Sequence, residues 1–223
     1  MTRQERADEL VRIFPEVYPD AHCELVFSNP LELLVATILS AQCTDRRVNI
    51  VTAELFRRCR SARDYAEIAP EELEEIIRSA GFYHAKANSL RKMAADLIAK
   101  YNGEVPRDMA ALTSLAGVGR KTANVVLGNA FGIEAGVVVD THVARLSLRL
   151  RLTKETDPVK IEAGLMKLIP RDRWTLFSHW LIFHGRRRCF ARNPDCAGCE
   201  VRRLCPSAFR ATVRQAPVPV QDR

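Results

Sequence analysis

No apolar run in this 223-residue chain is long enough to cross a bilayer. The longest, around Leu33–Ala41 and Trp174–His184, fall far short of the roughly 20 residues a span needs and contain Ser or His. The opening residues, Met1-Thr-Arg-Gln-Glu-Arg-Ala-Asp, carry both charge signs and none of the apolar stretch a secretory leader uses. The sequence is therefore read as staying in a reducing compartment, with its seven cysteines as thiols rather than disulfides. Repeats and low-complexity tracts are missing. So is strand-like alternation: the single strongly β-branched run is Val137-Val138-Val139, a connector. With 47% hydrophobic residues and a mean hydropathy of −0.13, disordered, collagen-like and membrane classes are excluded. The length allows one large domain or two small ones.

Lysine is missing from Arg171 to Arg214, a stretch that holds ten arginines against Asp172, Asp195 and Glu200. That block carries the whole net charge of +7, while the rest of the chain is balanced. Such a block suits a polyanion, an acidic protein or an acidic membrane surface, the last least well given the short apolar runs.

What is present is helical periodicity almost throughout, so the fold class is all-α with roughly ten helices. Residues 3–14 place Leu10, Val11 and Phe14 on one face, and Pro15 and Pro19 are read as ending that helix. Asn29-Pro30 opens the next. Further helices are expected at about 45–58, 70–79, 84–101, 107–115, 120–131, 141–150, 157–168 and 172–184, with Gly81 and Gly103 as stops. The tail after Ser207, with Pro217 and Pro219, reads as a poorly ordered end.

Four cysteines fall close together as Cys189-x6-Cys196-x2-Cys199-x5-Cys205. Cys23, Cys43 and Cys59 are scattered and read as small buried hydrophobes. Four clustered thiols in a reducing compartment indicate a metal site. Zinc sites usually draw ligands as closely spaced pairs, and only the middle pair has that spacing. A 4Fe–4S cluster takes thiolates at more varied intervals and is favoured, but spacing alone leaves both metals open.

Leu115-Ala116-Gly117-Val118-Gly119-Arg120-Lys121-Thr122-Ala123 joins two expected helices. A G-x-G turn feeding a helix start aims main-chain N–H groups outward, an anion site strengthened by the helix dipole. Flanked by helices, it matches a helix-hairpin-helix at about 107–131, which grips a DNA phosphate without reading sequence. A tight turn with no ligand is the alternative. Asp140 precedes an expected helix, and taken alone its more natural role is the N-cap.

Together these segments resemble the endonuclease III family of DNA glycosylases. The resemblance runs through Leu39-Ser-Ala-Gln42-Cys-Thr-Asp45, Asn102-Gly-Glu-Val-Pro106, Gly117 to Val126, Val139-Asp140-Thr-His142, His184-Gly-Arg186 and the cysteine set. It implies a 4Fe–4S cluster on Cys189, Cys196, Cys199 and Cys205, and two helical domains flanking a DNA-binding cleft. A six-helix domain would span 24–134; residues 1–23 and 135–223 would form the cluster domain. The implied function is base-excision repair: release of oxidised pyrimidines such as thymine glycol from double-stranded DNA, then strand cleavage by β-elimination. By resemblance, Lys121 is the nucleophile and Asp140 its partner carboxylate. A lysine attacks only when neutral, and desolvation and nearby cations such as Arg120 favour that form. Gln42 and Phe82 are implied as fillers of the gap left by the everted base, and Gly117, Gly119, Arg120, His142 and Arg192 as further DNA contacts.

Two departures stand out. Phe82 occupies a wedge position where many relatives have Leu, and its alternative reading is a core residue. Ala116 replaces a usual Pro, which costs ~0.4–1 kcal/mol through the unfolded chain. The competing readings are an adenine-removing glycosylase, whose relatives usually have a further C-terminal domain, and a non-catalytic DNA-binding protein stabilised by metal. A monomer is expected, in the cytoplasm and held to the nucleoid through DNA. With four thiolates around a 2+ core, the holo-protein would carry about +5.

Overall fold

The computed structural model describes residues 1–208, so Arg210, Arg214, Pro217 and Pro219 lie outside the described residues. Within them the regular elements are α1 (Arg3–Val17), α2 (Pro30–Leu39), α3 (Asp45–Arg58), α4 (Ala62–Glu67), α5 (Pro70–Ile77), α6 (Tyr83–Tyr101), α7 (Met109–Thr113), α8 (Arg120–Phe131), α9 (Thr141–Arg149), α10 (Pro158–Met166) and α11 (Trp174–Arg187). Three 3₁₀ turns, Arg78–Ala80, Arg171–Arg173 and Arg202–Leu204, complete the set. Among the described residues there is no strand, and the fold is all-α as expected. Val137, Val138 and Val139 are buried and lie outside any regular element, a connector as read.

The chain forms two compact units: Cys23–Ala135, and Met1–His22 together with the chain from Gly136 onward. The first is built on α2, where seven consecutive residues from Leu33 to Leu39 are buried. A helix apolar on all sides belongs at the centre of its unit, and α2 packs against α8, α3 and α6. Asn29 caps it by accepting from the Glu32 N–H at 3.0 Å, with Pro30 at its first position. Short α4 escaped the periodicity reading, since six residues show too few turns. Its signal was local: Ser61 and Asp64 form a capping box over buried Tyr65. At the end of α6 Asn102 and Gly103 both take positive φ, and the Gly103 N–H closes the turn onto Leu97 O at 2.9 Å.

In the second unit α11 packs on α9 and α1 around Leu10, Phe14, Val143, Leu146, Phe177, Trp180 and Leu181. Helix α1 does not stop at Pro15; it continues to Val17. A proline removes one ladder hydrogen bond, and here the last turn is held by buried rings. Phe14 and Tyr18 sit 5.5 and 5.9 Å from His184, and Phe14 lies 6.4 Å from Trp180.

Candidate functional site

In the unit Cys23–Ala135, α7 and α8 are joined by a loop in which Gly117 takes φ +77. A β-carbon on Gly117 would come 2.9 Å from Ser89 Cβ and 3.8 Å from Ile38. The glycine thus seats the hairpin loop directly on α6 and α2. Gly119 plays a different part. It is the N-cap of α8 at φ −90, without a side-chain cap, and a β-carbon there would meet nothing within 4 Å. A side chain there would enter uncrowded space next to Arg120 and Lys121, which begin α8 and are both exposed.

The same unit carries Gln42 and Phe82. Gln42 lies in the Ser40–Thr44 loop after α2, and Phe82 precedes α6. Both are exposed, and both hold left-handed backbone, at φ 54 and 49. That conformation costs a side chain with a β-carbon roughly 1 kcal/mol or more. Phe82 is 66% exposed, which removes its reading as a core residue.

In the other unit, buried Val137–Val139 leads into Asp140, whose Oδ1 accepts from the Val143 N–H at 2.8 Å. Asp140 is the N-cap of α9, as its position suggested. His142 lies in the first turn of that helix, with Arg145 Nη2 3.1 Å from its Nδ1. A β-carbon at Gly185 would come 2.6 Å from that nitrogen, so α11 and α9 approach this closely only with glycine there.

Cys189, Cys196, Cys199 and Cys205 are all half-buried and line one pocket. Burial pushes the Cys199 thiol up to about 11 and raises Cys205, while main-chain N–H groups of Val201, Ser207 and Ala208 work toward the thiolate. Cys199 and Cys205, so placed, become thiolates readily only around a cationic core. Among the described residues no three His, Cys, Asp or Glu groups converge on a point that one ion would occupy. The donor set and the cavity fit a larger group such as the cluster.

The surrounding hydrogen bonds fix this loop. Arg149 Nη1 donates to Cys189 Sγ at 3.1 Å and to Phe190 O at 2.7 Å, and its Nη2 to Ala191 O at 2.9 Å. Arg145 donates to Cys189 O at 3.0 Å. Tyr18 Oη lies 2.8 Å from His184 Nδ1, and His184 Nε2 lies 3.6 Å from Cys199 Sγ. Burial lowers the His184 pKa to about 4, so the imidazole is neutral at pH 7. With its proton on Nε2, His184 accepts from Tyr18 and directs an N–H at the sulfur.

The arginine block serves two ends. Arg188 pairs with Asp195 at 2.9 Å and Glu200 at 3.0 Å, and Arg187 with Asp20 at 2.9 Å, whereas Arg192 is exposed on the loop between the first two cysteines. Arg145 and Arg149, which also donate to the cysteine loop, lie outside the block. Their one-turn spacing along α9 is the signal the sequence offers, and a net-charge count misses it because α9 lies in the charge-balanced part of the chain.

Residues 35–171 match the HhH-GPD superfamily of base excision DNA repair proteins. Endonuclease III of Synechocystis is 52% identical over 93% of this chain and 94% of its own length, and that of Escherichia coli 41% over 92% and 96%. The chain belongs to the endonuclease III family. A solved non-covalent endonuclease III–DNA complex superposes with a TM-score of 0.90 at 47% identity, covering 96% of this chain and 99% of the other. A trapped endonuclease III–DNA covalent intermediate, an estranged-adenine complex, gives 0.90 at 46%, covering 95% and 100%. Membership makes the chain a base-excision repair enzyme of the DNA glycosylase and abasic-site lyase type, with double-stranded DNA as its partner. No helix among the described residues is long and apolar enough to cross a membrane.

Proposed function

We propose that this enzyme removes oxidised pyrimidines, thymine glycol among them, and cuts the resulting abasic strand through a Schiff base on Lys121. The placement of Lys121 carries the reading. An exposed amine occupies the second position of α8, directly after a glycine turn at a helix N-terminus, a combination that suits a backbone phosphate. The covalent DNA intermediate captured with a 46% identical relative supports an enzyme nucleophile.

In this chemistry Lys121 Nζ forms a bond to the sugar C1′ as the bond from C1′ to the damaged base breaks, and the base leaves with a proton. Ring opening gives the Schiff base; loss of a C2′ proton then expels the 3′ phosphate. Asp140 accepts the lysine proton or steadies positive charge on the sugar, and its helix cap engages Oδ1. Gln42 and Phe82 fill the space of the everted base. Gly117, Gly119, Arg120, His142 and Arg192 hold the phosphate backbone, which positions the enzyme without reading sequence.

Cys189, Cys196, Cys199 and Cys205 would hold the 4Fe–4S cluster, which supplies a cationic cross-link for the loop that presents Arg192. The same reading makes 24–134 the hairpin domain and the remainder the cluster domain, acting on the nucleoid.

Borohydride trapping on duplex DNA containing thymine glycol tests it. Wild type should become covalently attached and Lys121→Ala should not. No adduct from wild type, or equal adduct from the variant, ends the Schiff-base reading. A colourless, zinc-containing protein ends the cluster assignment.

A further inference from the structure

Lys86 is buried in the unit Cys23–Ala135, with 6% of its surface exposed. Lysine is among the residues least often buried, and burial pulls its pKa below the ordinary lysine range. Its ammonium donates to two main-chain carbonyls, Leu39 O at 2.8 Å and Ala80 O at 3.0 Å. Those carbonyls end two different segments. Leu39 is the last residue of α2, and Ala80 closes the 3₁₀ turn before α6. The exposed, left-handed residues Gln42 and Phe82 follow just beyond these two ends. The Lys86 main-chain N–H also donates to Phe82 O at 3.0 Å, so Lys86 holds both sides of Gly81.

A hydrophobic residue would anchor α6 without the cost of burying a charge. What an ammonium adds is direction: several donors in one group, able to hold two chain segments at a set distance. We propose that Lys86 is a positioning residue for base eversion, tying the end of α2 to the Ala80 turn so that Gln42 and Phe82 enter the duplex in register. The proposal rests on the assignment of Gln42 and Phe82 to the vacated base position. A tether matters here because left-handed backbone at residues with β-carbons persists only where the surroundings over-determine it. Two probes that must arrive together also lose effect if the distance between them drifts.

Lys86→Met keeps the aliphatic stem and removes the donors. Two single-turnover rates read the change. Release of an oxidised pyrimidine from duplex DNA requires the base to leave the stack, whereas scission at an abasic site in single-stranded DNA does not. The first should fall about tenfold or more, and the second should stay within about twofold. In a Phe82→Ala background, Lys86→Met should lower duplex base release by less than about threefold further. Equal losses on the two substrates, or losses from the two substitutions that multiply, would overturn the tether. If circular dichroism shows that Lys86→Met does not fold, Lys86→Gln, which keeps an amide donor on a shorter stem, is judged by the same two criteria. Wild-type base release by Phe82→Ala alone would overturn the Phe82 assignment, and the tether with it, a result separable from failure of the tether alone.

Discussion

The two glycines of Gly117-Val118-Gly119 should respond to alanine in opposite ways, although they look equivalent in sequence. At Gly117 the added methyl meets Ser89 Cβ at 2.9 Å, closer than such contacts occur, on a backbone at φ +77. The left-handed conformation costs roughly 1–2 kcal/mol for an L-residue, and forcing a methyl into a packed contact roughly 1–3 kcal/mol more. A loss of about 2–5 kcal/mol lowers Tm by roughly 4–20 °C in a chain this size. At Gly119 the methyl meets nothing within 4 Å, and φ is an ordinary −90. Alanine there costs only the difference between a fair and a poor N-cap, about 0.5–1 kcal/mol. It does, however, add a methyl at the start of α8, where the proposed function seats a backbone phosphate. Losing a charge-assisted contact worth about 1.5–3 kcal/mol weakens duplex binding tenfold to a hundredfold. Thermal unfolding and fluorescence anisotropy on an abasic-site duplex, at one fixed salt concentration, measure the two effects. Equal destabilisation by both variants, or wild-type affinity in a folded Gly119→Ala, would refute the division of labour.

Two further outcomes follow from the cluster unit. Arg149→Met removes the donors to Cys189 Sγ and to Phe190 and Ala191 carbonyls; the visible absorbance of the proposed cluster should decay several-fold faster in air, and decay at the wild-type rate would count against a restraining role. His179 is half-buried on α11, and burial, with His22 adding to it, lowers its pKa from 6.5 to about 4. The unfolded chain then holds more protons than the folded one between those values, so stability rises with pH there and is lost as pH falls from about 6.5 to 4. Allowing for partial exposure, the loss is about 2 kcal/mol. His179→Gln should flatten that limb of a urea-midpoint profile, and an unchanged acid limb would refute the assignment.

Local chemistry made much of this protein legible in its sequence. The caps at Asn29 and Asp140, the glycine turn before α8, and the four cysteines depend on residues a few positions apart, and all stand where the pattern put them. The same locality explains the misses. Pro15 reads as a stop because a proline penalises its own helix, whereas the contacts that carry α1 past it come from His184 and Trp180, far along the chain. Phe82 is apolar and so could be core or surface on sequence evidence. Its exposure follows from a left-handed backbone before α6.

The sequence by itself determined the all-helical character, the family, the glycine turn with the lysine after it, and the spacing of the four cysteines. These are properties of residue type and short spacing. Tertiary structure alone decided that Gly117 is a packing requirement while Gly119 is not, that Arg145 and Arg149 brace the cysteine loop, and that a buried Lys86 joins the ends of two loops. Each of those depends on which distant atom stands 3 Å away, and periodicity, charge count and motif carry no information about that distance.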